Sequence, residues 1–200
     1  MSLMIPAWVN GVLTPVEKLE AHEKGLKHKA ISVFMICNGK ILIQRRALEK
    51  YHTPGLWANT CCTHPLWNEA PEDCAMRRMK EELAIENIQL IYRDRIEYRA
   101  DVGNGLIEHE VVDLFITHVD APPPMAANPD EVSFDGLELT SVGCSWRCLG
   151  PNLSHLLQFG TSSTRAGGQD DVSFNKLRQI ISGSFSNSRH PDPRRVLRRS

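Results

Sequence analysis

Residues 30–45 read AISVFMICNGKILIQR: an apolar, β-branched run from Ala30 to Ile36, the tripeptide Cys37-Asn38-Gly39, and a second β-rich run from Lys40 to Arg45. Asn-Gly between two such runs is a strong hairpin signal, because both residues accept the positive φ that a tight two-residue turn requires. The pair therefore predicts two antiparallel strands.

Working outward, Pro71, Glu72 and Asp73 suit the first turn of a helix, where proline's missing N–H costs nothing and acidic side chains meet the positive end of the dipole. Ala75, Met79 and Leu83 then recur at four-residue spacing, so Pro71 to about Ala84 predicts an amphipathic helix. Ile88–Ala100 and Leu106–Val119 are two further extended runs, split by Asp101-Val-Gly-Asn-Gly105. Residues two apart on a strand share a face, so Glu108 and Glu110 project to one side. Two adjacent carboxylates repel unless a cation joins them. His22, His28 and His64 complete a set of three imidazoles and two carboxylates, suited to a divalent first-row metal such as Mn, Fe or Zn. A solvated strand face and surface histidines are the plain alternative for the same residues.

Composition sets the frame. The chain has 200 residues, 42% apolar, with a formal net charge of −1. That is enough to bury one sizeable core, and it gives no electrostatic bias toward nucleic acid or an anionic membrane. No run approaches the length of a membrane span, and MSLMIPAWVNG lacks the basic-then-apolar order of a signal peptide, so a cytoplasmic location is expected. In that compartment six cysteines (Cys37, Cys61, Cys62, Cys74, Cys144, Cys148) are expected as thiols, ligands or nucleophiles rather than disulfides.

The charge is unevenly placed. Up to Ser133 there are 14 Lys+Arg against 19 Asp+Glu; after it, 9 against 5. Gly plus Ser follow the same break, 9 in the first 133 residues and 18 in the last 67. Residues 1–132 are thus expected to form the folded domain, and residues 133–200 an atypical Gly/Ser/Arg-rich segment of low order with one short helix around Asp171–Ile181.

Three separated motifs carry a family resemblance. ALEKYHTPGLWANTCCTHP (residues 47–65), Arg77-Arg-Met-Lys-Glu-Glu-Leu83, and Tyr98-Arg-Ala followed by Glu108-His-Glu110 resemble, in order, the signature of the type I isopentenyl-diphosphate isomerases of the Nudix superfamily. The resemblance runs from about Ile5 to Glu131. It implies an α/β (α+β) fold, a Nudix-type mixed sheet flanked by helices. It also implies a metal-dependent isomerase that converts isopentenyl diphosphate to dimethylallyl diphosphate, activating C5 units for isoprenoid synthesis. Its partner is then a small molecule, not nucleic acid or membrane. Oligomeric state is not readable.

By the same resemblance, Mn²⁺ (or Zn²⁺ or Fe²⁺) is held by His22, His28, His64, Glu108 and Glu110. Mg²⁺ is held by Glu82 together with the substrate diphosphate, whose basic contacts are Lys18, Arg46, Lys50 and Arg78. Cys62 is the catalytic cysteine and Cys61 a bystander; Glu110 carries a proton, and Tyr98 hydrogen-bonds to that site. The implied reaction protonates C4 and removes a proton from C2 at Cys62.

The departures are as informative. Glu69, Arg77, Glu81 and Glu82 fit the spacing of the Nudix hydrolase box, which makes a diphosphate hydrolase the main rival. The glycines of that box are replaced by Thr63 and Ala84, and Arg78 stands where a metal-binding glutamate is expected. A small zinc-binding interaction module ranks third. His22 and His28 are six apart where the family often has seven, which implies a ligand loop shortened by one residue. After Glu131 the family's C-terminal part finds no match, and Trp146 has no comparable context. A catalytically impaired isomerase is therefore a second expectation, following from a replaced tail or a shifted reading frame. Trp57 is expected to pack in the core, with lining the pocket as its alternative role.

Overall fold

The protein is described by a computed structural model covering residues 3–50 and 54–141. The expected helix around Asp171–Ile181 and Trp146 lie outside the described residues.

Strand β1 (Met4–Val9) turns at Asn10-Gly11 into β2 (Val12–Glu17), which leads into the short helix α1 (Lys18–Glu23). Strand β3 (His28–Cys37) follows, then β4 (Lys40–Arg46), β5 (Trp57–Ala58), β6 (Cys61–Thr63), helix α2 (Pro71–Leu83), β7 (Ile91–Gly103), β8 (Leu106–Val119) and β9 (Val132–Ser141). The nine strands form one mixed sheet, the α/β (α+β) architecture that the sequence implied. The Asn38-Gly39 turn has φ of 49° and 73°, as the hairpin requires.

β3 is the axis of the molecule. It pairs in parallel with β8 from His28↔Glu110 to Cys37↔Val119, and antiparallel with β6 through Ile31↔Thr63, Ser32↔Cys62 and Val33↔Cys61. Its contact with β4 is short, Ile36↔Ile41 and Cys37↔Lys40, after which the two strands diverge. Thr60 bridges the divergence: its hydroxyl accepts from the Met35 amide at 2.8 Å and donates to the Leu42 carbonyl at 2.7 Å. Paired in parallel along its length and covered on both faces, β3 is buried almost throughout, which accounts for its unbroken apolar run.

Alternate residues of β3 serve two cores. Ile31, Val33 and Met35 pack with Cys61, Cys74, Ala75, Met79 and Leu83 beneath α2. Ala30, Phe34 and Ile36 pack with Tyr98, Val112, Leu114 and Ile116 on the other face. Met79 and Leu83 are fully buried, each worth roughly 2–3 kcal/mol of transfer free energy.

One expectation needs correction. Beyond Ile41 the edge of β4 that faced β3 goes to β5, through Gln44↔Ala58 and Arg45↔Trp57, and Val132–Ser141 pairs along the opposite edge as β9, from Lys40↔Ser141 to Gln44↔Leu137 and Arg46↔Val132. The first nine residues of the segment expected to be loosely structured from 133 onward are therefore a strand. The Gly/Ser-based boundary at 132 falls inside the sheet's own edge.

Candidate active site

Four of the candidate metal ligands are each delivered by a different element. His22 closes α1, His28 opens β3, His64 follows β6, and Glu110 lies on β8 directly beside His28 in the parallel register. All four are buried, and one ligand atom from each lies within 4.8 Å of the others. The three ring centroids are 4.7 to 5.1 Å apart. The loop between the first two histidines closes through Gly25, at φ 57°, whose amide donates to the His22 carbonyl while Leu26 N–H donates to the Ala21 carbonyl. A side chain at Gly25 would also press on Ile107, 3.1 Å from an added Cβ. This glycine is needed for both reasons.

The tautomers are fixed by the backbone. His22 Nδ1 lies 2.7 Å from the Lys18 carbonyl and His28 Nδ1 2.7 Å from the Leu26 carbonyl, so each neutral ring donates there and turns the lone pair of Nε2 inward. His28 Nε2 then faces Glu110 Oε1 at 3.7 Å, lone pair against lone pair, and the buried Nδ1 of His64 has no hydrogen-bond partner among the described residues. Burial pushes His22 down to about 4 and His64 well below the usual imidazole range, so both are neutral near pH 7. Burial alone would raise Glu110, but the nearby His28 ring and the His64 hydrogen bond at 3.0 Å outweigh it and hold the carboxyl well below its ordinary value. Neutral imidazoles, an ionised carboxylate and inward-facing lone pairs are the donor set a divalent first-row cation takes. The residues fit the metal.

Glu108 stands apart from this group of four. Tyr98 joins it to them, its hydroxyl 2.9 Å from Glu108 Oε2 and 2.8 Å from Glu110 Oε2. A hydroxyl has one proton to give, so one carboxyl accepts from Tyr98 while the other is matched only when it is protonated. Burial, then the charge of Glu110, raises Glu108 to about 7. Tyr98 itself is pushed well up by burial and by the two carboxylates.

The vicinal cysteines face opposite ways. Cys62 pairs with Ser32 and packs on the core face shared by Tyr98, Trp57 and Ile96, while Cys61 lies in the core beneath α2. Asn59, buried, fixes this turn by donating to Ser32 Oγ, the Val33 carbonyl and the Cys61 carbonyl. Burial raises the Cys62 thiol well above its ordinary value; Glu110 and Glu108 add to the shift and Arg46 opposes it. The metal-free pocket therefore keeps Cys62 protonated.

The expected basic contacts gather around Lys18. Burial first, then the charges of Lys50, Arg46 and Arg78, lowers its ammonium to about 8. Arg78 is engaged by carboxylates: its Nε and Nη2 donate to Glu82 Oε1 at 3.1 and 2.6 Å, Nη1 to Glu81 at 2.9 Å, and Nη2 lies 3.0 Å from Glu131. Lys50 also bonds Glu131. Glu82 is buried and accepts from Gln44 Nε2 at 2.9 Å as well, so it belongs with Arg78 and Gln44 rather than with the histidine group. Gln44 and Glu131 carried no expectation: a buried glutamine on a strand and a glutamate ahead of a Gly/Ser-rich break show no periodic signal.

Of the residues resembling the hydrolase box, Glu69, Arg77 and Glu81 form a structural clamp. Arg77 donates to both oxygens of Glu69 at 2.6 and 2.8 Å, and Glu69 also accepts from Leu66 N–H at 2.8 Å. Arg78 sets a guanidinium between Glu81 and Glu82, where hydrolase chemistry gathers carboxylates around a cation.

The NUDIX domain family matches residues 26–142. The isopentenyl-diphosphate Delta-isomerase of Dinoroseobacter shibae is 65% identical over 133 residues, which are 66% of this chain and 76% of that protein. Those of a Jannaschia species and of Ruegeria pomeroyi are each 64% identical over 132 residues, covering 75% and 73% of their lengths. The chain belongs to the isopentenyl-diphosphate isomerase family of the Nudix superfamily. Solved structures agree on the fold: a protein from Deinococcus radiodurans superposes with a TM-score of 0.57 at 14% identity over 92% of this chain and 99% of its own. A MutT NUDIX hydrolase from Burkholderia pseudomallei gives 0.53 at 20% identity over 70% and 98%. No helix among the described residues is long and apolar enough to cross a membrane.

Proposed function

We propose that this chain isomerises isopentenyl diphosphate to dimethylallyl diphosphate by adding a proton at C4 and removing one from C2, in the cytoplasm, as the step that activates C5 units for isoprenoid synthesis. The observation that carries the reading is the Glu108–Tyr98–Glu110 hydrogen-bonded chain meeting the buried histidines on the face that Cys62 shares.

An unactivated alkene is a weak base, so the site must hold a strong acid and a separate base, both shielded from water. Glu110 is buried and oriented by His64 and Tyr98, and it is the group assigned to hand a proton to C4; ionised in the metal-free pocket, it receives that proton through Tyr98 from Glu108, the carboxyl raised to about 7. Tyr98 holds that proton's path in line and links it to Glu108. Cys62 takes the proton from C2, which requires its thiol to fall from the raised value it has in the metal-free pocket. Lys18, Arg46, Lys50 and Arg78 bind the diphosphate and orient the alkene over the carboxyl chain. When bound, Mn²⁺ (or Zn²⁺ or Fe²⁺) at the His22, His28, His64, Glu108 and Glu110 set and Mg²⁺ at Glu82 supply positive charge that tunes the acidity of Glu110 and offsets the diphosphate.

One second reading rests on an observation. Similarity to the curated relatives spans 66% of the chain, which leaves the remainder unmatched and favours an isomerase of reduced rate as the alternative. The test follows isopentenyl diphosphate with Mg²⁺ and Mn²⁺ by ¹H and ³¹P NMR. Dimethylallyl diphosphate with no free phosphate is expected. Released phosphate would point to hydrolysis, and a folded, metal-loaded but silent protein to the impaired isomerase.

A further inference from the structure

Glu131 bridges two of the cations assigned to the substrate. Its Oε1 lies 3.0 Å from Arg78 Nη2 and its Oε2 bonds Lys50. Its backbone is pinned on both sides, the amide donating to Asn128 at 3.0 Å and the carbonyl accepting from Ala47 at 3.0 Å. The carboxylate can therefore leave the two cations by side-chain rotation alone, without moving β9, which begins at the next residue. Arg78 keeps a separate anchor throughout, because Glu82 holds it through two donors.

We infer that Glu131 is an internal stand-in for the substrate's diphosphate: it covers Lys50 and Arg78 in the free protein and is exchanged for diphosphate oxygens on binding. The inference rests on the proposed isomerase reading, which puts the diphosphate at these cations. The physics favours such a device. Lys18, Arg46, Lys50 and Arg78 lie close enough together that, after burial, the charges of the other three lower the Lys18 ammonium further, so the cations repel one another. Glu131 adds to the relief that Glu81 and Glu82 give Arg78 and extends it to Lys50, and a diphosphate, with more charge and more acceptor oxygens, outcompetes it there. Glu131 then sets affinity: it weakens binding by the cost of the exchange and speeds product release by returning to the cations.

The test is isothermal titration of the full-length protein with inorganic diphosphate in Mg²⁺-containing buffer, comparing wild type, Glu131→Gln, Glu131→Ala and Lys18→Ala. Circular dichroism checks the fold, and Glu131→Ala keeps the test open if the glutamine variant folds poorly. An exchanged anion predicts that Glu131→Gln and Glu131→Ala bind diphosphate tighter, on the order of tenfold, with slower release in stopped flow. Unchanged or weaker binding in folded variants, while Lys18→Ala still abolishes wild-type binding, overturns the role of Glu131 alone and makes it a fixed positioning residue. Failure of wild type itself to bind diphosphate overturns the cation-site reading and this inference with it.

Discussion

Glu108→Gln isolates the electrostatic cost built into the metal-free site. Glu108 is the carboxyl raised from 4.5 to about 7, first by burial and then by the charge of Glu110. A carboxyl whose folded value lies above its unfolded value costs nothing below the unfolded value, and its full penalty is present above the folded one. The penalty therefore develops between about pH 4.5 and 7. A shift of this size corresponds to about 3 kcal/mol at most, and solvent screening at a half-buried side chain reduces it to about 1–2 kcal/mol. Glutamine keeps a partner for the Tyr98 hydroxyl without the charge. Metal-free Glu108→Gln is thus expected to be more stable than wild type at about pH 8, by several degrees in Tm. The gap should close near pH 5. Urea and thermal unfolding in excess chelator at both pH values measure it, and every other titrating group is common to the two proteins. Adding Mn²⁺ should reverse the order at about pH 8, because a bound cation turns the costly charge into a ligand. A stabilisation that does not change with pH, or a metal-free variant less stable than wild type at pH 8, would refute the reasoning.

Three other outcomes follow from particular geometry. Ala84 caps α2 in the left-handed region at φ 55°, where the Nudix box has its later glycine, so Ala84→Gly should raise stability by about 0.5–1 kcal/mol in thermal unfolding. Cys62→Ala should lower turnover by about two to four orders of magnitude with little change in Tm, whereas Cys61→Ser, placing a hydroxyl in the core beneath α2, should lower stability by about 1–3 kcal/mol and leave a measurable turnover. His28→Ala removes one of four converging ligand atoms and should drop bound first-row metal, read by elemental analysis, well below one ion per chain.

Much of this site was legible because strand periodicity and the family's motif order act together. The two-residue spacing of Glu108 and Glu110 put both on one face, and Tyr98 meets them there. Asn38-Gly39 and the Ala75, Met79, Leu83 spacing located β3, β4 and α2 because turn stereochemistry and helical burial leave direct marks. The β1–β2 hairpin carries the same Asn-Gly mark at Asn10-Gly11, yet Pro6 and Pro15 argue against strands there; in the structure the two prolines face each other across the ladder. Helix α1, at six residues, is too short to show a period. β9 stayed hidden because it exists by pairing along an edge of β4 far away in the chain, a tertiary event that composition does not report. Glu131, Gln44 and Asn59 acquire their roles from burial among partners far along the chain, and single-residue context carries no trace of that.

The most direct test of the account is the isomerisation run in D₂O with full-length wild type, Glu110→Gln and Cys62→Ala, resolving by NMR where deuterium enters. The account expects deuterium in the methyl group formed from C4 of wild-type product, and loss of product in both variants by at least about two orders of magnitude with the fold retained. Product formed without solvent deuterium, or full turnover in either variant, would contradict it.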